Sequence, residues 1–171
     1  MYQLQDLLHL MNRLRDPQYG CPWDLKQDFS SLTPHTLEEA YEVVDAAAQQ
    51  DFDQLRAELG DLLLQVVFYS QLGKEAGHFD FAAVVNGIVE KLLRRHPHVF
   101  PDGDLYADPT RVELSPEAAL GRWEAVKQAE REQQAAEPRQ LSLLDDVPRA
   151  LPALSRAANL QKRAAHAVFD W

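Results

Sequence analysis

Cysteine is nearly missing from this chain: Cys21 stands alone among 171 residues, which excludes an internal disulfide framework and any cysteine-rich zinc site. Long apolar runs are also missing, and none approaches the roughly 18 residues that a bilayer span requires. The first residues, Met1 to Asp6, lack the basic and then apolar blocks of a signal peptide. Bases are scarce, with 17 Lys and Arg against 27 Asp and Glu and a formal charge of −10. A chain this acidic repels polyanions, so it is read as binding neither a nucleic-acid polymer nor a membrane surface. Strand-type alternation is nearly absent as well. With 46% hydrophobic and 26% charged residues, wholesale disorder is excluded too. The resulting expectation is a soluble cytoplasmic protein in a reducing compartment.

Helical periodicity fills what remains. Leu4, Leu7, Leu8, Met11 and Leu14 recur at spacings of three and four and stop at Asp16-Pro17. A loop rich in turn formers and aromatics is expected from Pro17 to about Thr33. Thr33 or Thr36 caps the next helix, and Glu39 gives Thr36 a capping-box partner; that helix runs to about Gln50. Asp51 or Asp53 caps a third helix, ending near Gly77, and a fourth runs from about Asp80 to just before Pro97. Residues 100–116 read as a long loop, followed by a helix from Pro116 to about Ala136. A break spans Pro138 to Pro152, and a last helix spans Leu154 to about Ala167. Four helices on short connections in the first hundred residues predict an all-α, four-helix-bundle-like fold with additional C-terminal helices.

Chemistry concentrates in the second and third helices. Between Lys26 and Arg56 there is no Lys or Arg, yet the stretch holds seven acids. At about 100° per residue, Glu38, Glu42 and Asp45 share one narrow sector with Glu39 beside it, opposite Leu37, Ala40, Tyr41, Val44 and Ala47. A solvated polar face is one reading. Against it, such faces usually carry Lys or Arg at i+4, whereas Glu38 and Glu42 form a like-charge pair that costs about 0.2–0.5 kcal/mol.

The third helix reads Leu59-Gly60-Asp61-Leu62-Leu63-Leu64-Gln65-Val66-Val67-Phe68, apolar nearly all round, as buried helices are. Asp61 sits inside that run, with Glu58 three residues earlier on the same face. A carboxylate in apolar surroundings must be paired or bind a metal. The first alternative is a buried ion pair with Arg56 or a base on another helix. The second follows from antiparallel packing of the two helices, which lets Glu39 and Glu42 face Glu58 and Asp61. All-oxygen ligation of that kind selects Mg²⁺ or Mn²⁺ over zinc or copper.

Glu38-Glu39-x-x-Glu42, followed after fifteen residues by Glu58-x-x-Asp61, resembles the EExxE…ExxD motif of the MazG nucleoside triphosphate pyrophosphohydrolases. Arg13-Leu14-Arg15-Asp16-Pro17, Gly20-Cys21-Pro22-Trp23-Asp24, the run from Thr36 to Asp45, and Arg94-Arg95-His96-Pro97-His98-Val99-Phe100 are similar to the N-terminal domain of two-domain members. The resemblance covers about residues 4–171.

It implies an all-α bundle that forms a homodimer or higher homo-oligomer and hydrolyses a nucleoside triphosphate to the monophosphate and pyrophosphate with Mg²⁺, Mn²⁺ being a substitute. The house-cleaning removal of unwanted nucleotides is one such role. The implied metal ligands are Glu39, Glu42, Glu58 and Asp61, with Glu38 a fifth catalytic carboxylate able to orient water. The densest basic cluster, Lys91, Arg94 and Arg95, would hold phosphates, although a favourable interaction with the helix dipole also explains it. Trp123 and Trp23 are expected to border the nucleotide, a core position being the alternative for Trp123. Cys21 is expected to be a packed small residue, and His96 and His98 to be satisfied histidines rather than ligands.

The resemblance also divides the chain into a domain over 1–137 and a linker with helical tail over 138–171, similar to the lead-in to a second MazG domain. Two departures stand out: Gln54 sits where some active domains carry Lys, and Ala167-Val168-Phe169 lacks an expected Gly. A catalytically weak helical module, serving oligomerisation or nucleotide-binding regulation, is the alternative function.

Overall fold

A computed structural model describes residues 1–108, 114–135 and 147–166. Helices α1 (Leu4–Leu14), α2 (Pro22–Leu25), α3 (Thr33–Gln49), α4 (Phe52–Glu75), α5 (Phe81–Arg95), α6 (Pro116–Ala135) and α7 (Ala153–His166) follow in order, with one 3₁₀ turn at Pro101–Gly103. No strand occurs among the described residues, so the fold is all-α. None of the described helices is long and apolar enough to cross a membrane. The chain forms two compact units, Met1–Lys91 and Leu92–Trp171. The expected break over 138–152 and the end of the tail fall mostly outside the described residues.

In the first unit, α1 is closed at its start by a capping box in which the Gln3 N–H donates to Asp6 at 2.8 Å. Met11, on its apolar stripe, is fully buried against Leu32, Val67, Phe68 and Leu72. This cluster is the core, and it lies at the C-terminal half of α4.

The chain leaves α1 through a tight turn. Asp16 accepts the N–H groups of Gln18 and Tyr19, each at 2.9 Å, and these bonds hold its carboxyl below the usual range. Gly20 donates to the Asp16 carbonyl at 2.8 Å, and a Cβ there would stand 2.8 Å from the Asp16 nitrogen, against backbone that cannot yield. That is why the Gly-Cys-Pro-Trp-Asp segment starts with glycine. The segment expected to be plain loop contains the one-turn helix α2, which starts with Pro22, its fixed φ suiting a first helical position. Arg15 clamps the segment: its Nη1 donates to the carbonyls of Asp24 (2.5 Å) and Gln27 (3.1 Å). The Nε of the same guanidinium donates to Glu75 at 2.9 Å, and its carbon lies 5.6 Å from the Phe68 ring centroid.

The start of α3 corrects one expectation. Neither Thr33 nor Thr36 is the cap; Leu32 occupies that position without a side-chain bond. Thr36 lies inside the helix, where its hydroxyl donates to the Leu32 carbonyl at 3.0 Å and meets the Tyr69 hydroxyl at 3.2 Å. With its hydroxyl used this way, no box with Glu39 forms. At the other end Gln50 takes the left-handed conformation, and Asp51 caps α4 by accepting the Gln54 N–H at 3.0 Å. This tight connection makes α3 and α4 an antiparallel hairpin, the main helix pairing of the unit.

A candidate metal centre on the α3–α4 hairpin

The hairpin fixes the site. Glu39 and Glu42 lie three residues apart on α3, and Glu58 and Asp61 lie three apart on α4, so each pair occupies one face of its helix. Antiparallel packing turns the faces together: one oxygen each from Glu39, Glu58 and Asp61 lie within 4.8 Å of one another. Glu58 is 7% exposed, Glu39 half-buried and Asp61 exposed. Asp61 is therefore not enclosed by the apolar run around it. Leu59, Leu63 and Val66 are exposed too, and α4 turns Glu58 and Gln65 inward instead. On α3 the buried position is Ala46, while Leu37, Tyr41 and Val44 face outward.

Glu42 stands at the edge of the trio. The Glu58 charge is the largest of the influences that push its carboxyl above the ordinary 4.5, followed by burial and then Glu39 and Glu38. Beside it a cleft is lined by Glu42, Asp45, Ala46, Gln49, Asp51 and Gln54. Among the described residues, no base compensates these charges. Arg56, the candidate partner for a buried ion pair, meets Asp53 at 3.2 Å on the surface instead. Glu38 meets His35, one turn earlier, at 3.9 Å. No ion pair to Glu39, Glu42, Glu58 or Asp61 is found among the described residues. A cluster of oxygen donors with neither nitrogen nor sulfur suits a hard divalent cation.

One contact at the site escaped sequence reasoning. The Gln54 side-chain amide donates to Glu58 one turn on, and the i,i+4 spacing was its only signal.

The other candidate residues are placed as follows. Trp23, 54% exposed on α2, stands edge-on to His35 with ring centroids 6.1 Å apart, which puts it beside the first turn of α3. Lys91 is exposed on α5, with no hydrogen bond or ion pair to the carboxylates among the described residues. Arg94 and Arg95, within the second unit, both bind Glu130 of α6. Trp123 is half-buried in the same unit, its ring 5.5 Å from the Arg95 guanidinium carbon and 4.8 Å from Lys127 Nζ. Glu130 and Lys127 were not legible as parts of this cluster, because contacts between separate helices leave no periodic trace.

Comparison with known proteins agrees with the motif. Residues 27–100 match the MazG nucleotide pyrophosphohydrolase domain. The chain is 54% identical over 171 residues to the nucleoside triphosphate pyrophosphohydrolase of Escherichia coli (strain K12), covering all of this chain and 60% of that protein. It is 38% identical over 167 residues to the nucleoside triphosphate pyrophosphohydrolase/pyrophosphatase MazG of Thermotoga maritima, covering 98% of this chain and 58% of the relative. A Bacillus subtilis protein, the uncharacterized YabN, is 45% identical over 154 residues, which are 90% of this chain and 28% of YabN. The chain thus spans no more than about 60% of these curated relatives. By motif, helical architecture and sequence identity, residues 27–100 of this chain form a MazG domain.

Proposed function

We propose that the chain hydrolyses nucleoside triphosphates to nucleoside monophosphates and pyrophosphate, with Mg²⁺ or Mn²⁺ held by Glu39, Glu42, Glu58 and Asp61. The observation that carries this reading is the convergence of Glu39, Glu58 and Asp61 from two helices, with no neutralising base among the described residues. A triphosphate is repelled by such a surface unless divalent ions bridge the two. The bound ion would polarise the phosphoryl group and make water more acidic. The residues themselves have three tasks. Glu58, buried and bonded by Gln54, fixes the ligand geometry. Glu38, exposed on α3, would accept a proton from the attacking water. In the first unit Lys91 would supply positive charge for phosphates and Trp23 a flat ring for a base; in the second, Arg94 and Arg95 would serve phosphates and Trp123 a base. The water oxygen bonds to the α-phosphorus, the bond to the bridging oxygen breaks, and pyrophosphate leaves with that oxygen.

The test is a panel of ribo- and deoxynucleoside triphosphates with Mg²⁺, Mn²⁺ or chelator, the products being separated by chromatography. Monophosphate and pyrophosphate are expected only with metal. Release of inorganic phosphate, or turnover that survives chelation, refutes the proposal. The second reading, a weakly catalytic nucleotide-binding regulator, rests on Gln54 standing where a cation is expected. It gains if nucleotide binds without conversion.

Homo-oligomerisation belongs to the same proposal, with a dimer as the simplest form. Leu37, Tyr41 and Val44 make one exposed apolar stripe on α3, and Leu59, Leu63 and Val66 make another on α4. Helix α5 has no buried residue and exposes Val84, Val85 and Ile88. Isolated helices of this length are marginal in water, and exposed stripes at helical spacing call for a partner face. A second copy supplies faces of matching character. Light scattering is expected to give at least twice the 19.4 kDa chain mass, and Leu63→Asp to lower it to one chain. A wild-type monomer at micromolar concentration contradicts this.

A further inference from the structure

We propose that Glu130 is a positioning residue that fixes the paired guanidinium groups of Arg94 and Arg95 as a preorganised anion receptor for nucleotide phosphates. The inference rests on the proposed role of these arginines in phosphate binding.

Two adjacent arginines at a helix end repel each other and sample many rotamers. Glu130 removes both problems. Its Oε1 accepts from Arg94 Nε at 2.6 Å, while its Oε2 accepts from Arg95 Nε at 3.1 Å and Nη2 at 2.6 Å. Each carboxylate oxygen thus serves one arginine. The carboxylate and the Arg95 side chain are 15% and 18% exposed, whereas Arg94 is 54% exposed. Charge-assisted bonds in a partly shielded setting are the strong kind, and the two arginines hold the Glu130 carboxyl below its ordinary value, Arg95 more than Arg94.

The geometry decides between an occupied pair and a prepared one. Glu130 engages Arg94 only through Nε, leaving its outer Nη1–Nη2 edge outside the Glu130 contact. Arg95 is fixed further by the Trp123 face, 5.5 Å from its guanidinium carbon. Two arginines against one carboxylate leave the trio net positive, with donors held at set angles. An anion that meets such a pair need not order the side chains first, and that entropy is the gain from preorganisation.

Affinity for Mg²⁺-bound α,β-methylene-ATP, a triphosphate resistant to cleavage at the α–β bridge, is measured by calorimetry on the full chain, together with thermal midpoints. Glu130→Gln is expected to weaken binding about fivefold with a near-unchanged midpoint, and to add nothing in an Arg94→Ala, Arg95→Ala background, as coupled residues behave. Glu130→Asp, which keeps the charge, is expected to fall between wild type and Glu130→Gln and serves if Gln does not fold. A lowered midpoint without loss of affinity makes Glu130 a purely structural contact and overturns the proposal. Tighter binding by Glu130→Gln also overturns it, because the carboxylate then competes with phosphate. If the double arginine variant binds like wild type, the underlying phosphate role fails, a result distinct from failure of Glu130→Gln alone.

Discussion

Glu58→Ala is expected to lower metal-dependent turnover by at least about 10²-fold, since loss of even an outer partner of a metal ligand costs 10–100-fold. Asp61→Ala is expected to do the same. Neither change touches Met11, Leu32 or Val67, the fully buried side chains of the core, so the fold is retained. The unusual part of the expectation concerns stability without metal. Glu58 is buried beside Glu39 and raises the Glu42 carboxyl, so Glu58→Gln removes a repulsion. The metal-free variant should melt no lower than wild type, while Mg²⁺ should no longer raise its midpoint.

The pH dependence has a definite sign. A carboxyl raised in the folded state favours folding when protonated. Its contribution is fully present below the ordinary 4.5 and is lost as pH rises through the raised value. Metal-free protein therefore gains stability from Glu42 as pH falls through that window, whereas stabilisation by Mg²⁺, which needs ionised ligands, declines over the same interval. Melting curves with and without Mg²⁺ between pH 4 and 8 decide the matter. An unchanged Mg²⁺-induced shift in Glu58→Ala, or one that grows on acidification, contradicts the metal centre.

Arg15→Ala carries the second large effect, a loss of about 3 kcal/mol, the scale for breaking a shielded ion pair with further hydrogen bonds. The Arg15 side chain is 9% exposed, bonds Glu75 at 2.5 Å through Nη2, and anchors the Asp24 and Gln27 carbonyls. Arg15→Lys is expected to recover only part of this, because an ammonium cannot reproduce the fork. The hydrogen bond from Arg15 is also the main reason the Glu75 carboxyl lies below its ordinary value. Its sign is the reverse of Glu42: the stabilisation is present above 4.5 and is lost as pH falls through the depressed value. Urea midpoints at pH 7 and pH 3 test both statements. A wild-type midpoint in Arg15→Ala removes the clamp.

Helices α1, α3, α4, α5, α6 and α7 were legible because their apolar positions recur at helical spacing and are punctuated by Pro17, Asp51, Pro97 and Pro116. The approach of α3 and α4 acids was legible too, because two i,i+3 acid pairs across a short connection have few other ways to meet; of the four expected, Glu39, Glu58 and Asp61 form the close group and Glu42 does not join it. Helix α2 was not, since four residues are too few to show a period. The exposure of Asp61 was missed for another reason. An all-apolar run predicts burial, but it does not say whether the cover comes from the same chain. The Thr36 box failed because a hydroxyl able to cap can equally bond back within its own helix, and the choice is made by Tyr69, thirty-three residues away. The Glu130 contact joins residues 35 and 36 apart, beyond any local rule.

The α3–α4 hairpin is anchored by one stretch of α4 and carries its acids on another. Its apolar anchorage lies around Val67 to Leu72, and its acids lie toward Gln50. Substitution among the acids is therefore decoupled from the packing that folds the chain, and under the proposed function such a scaffold can trade one nucleotide preference for another, or fall silent, while keeping the same skeleton.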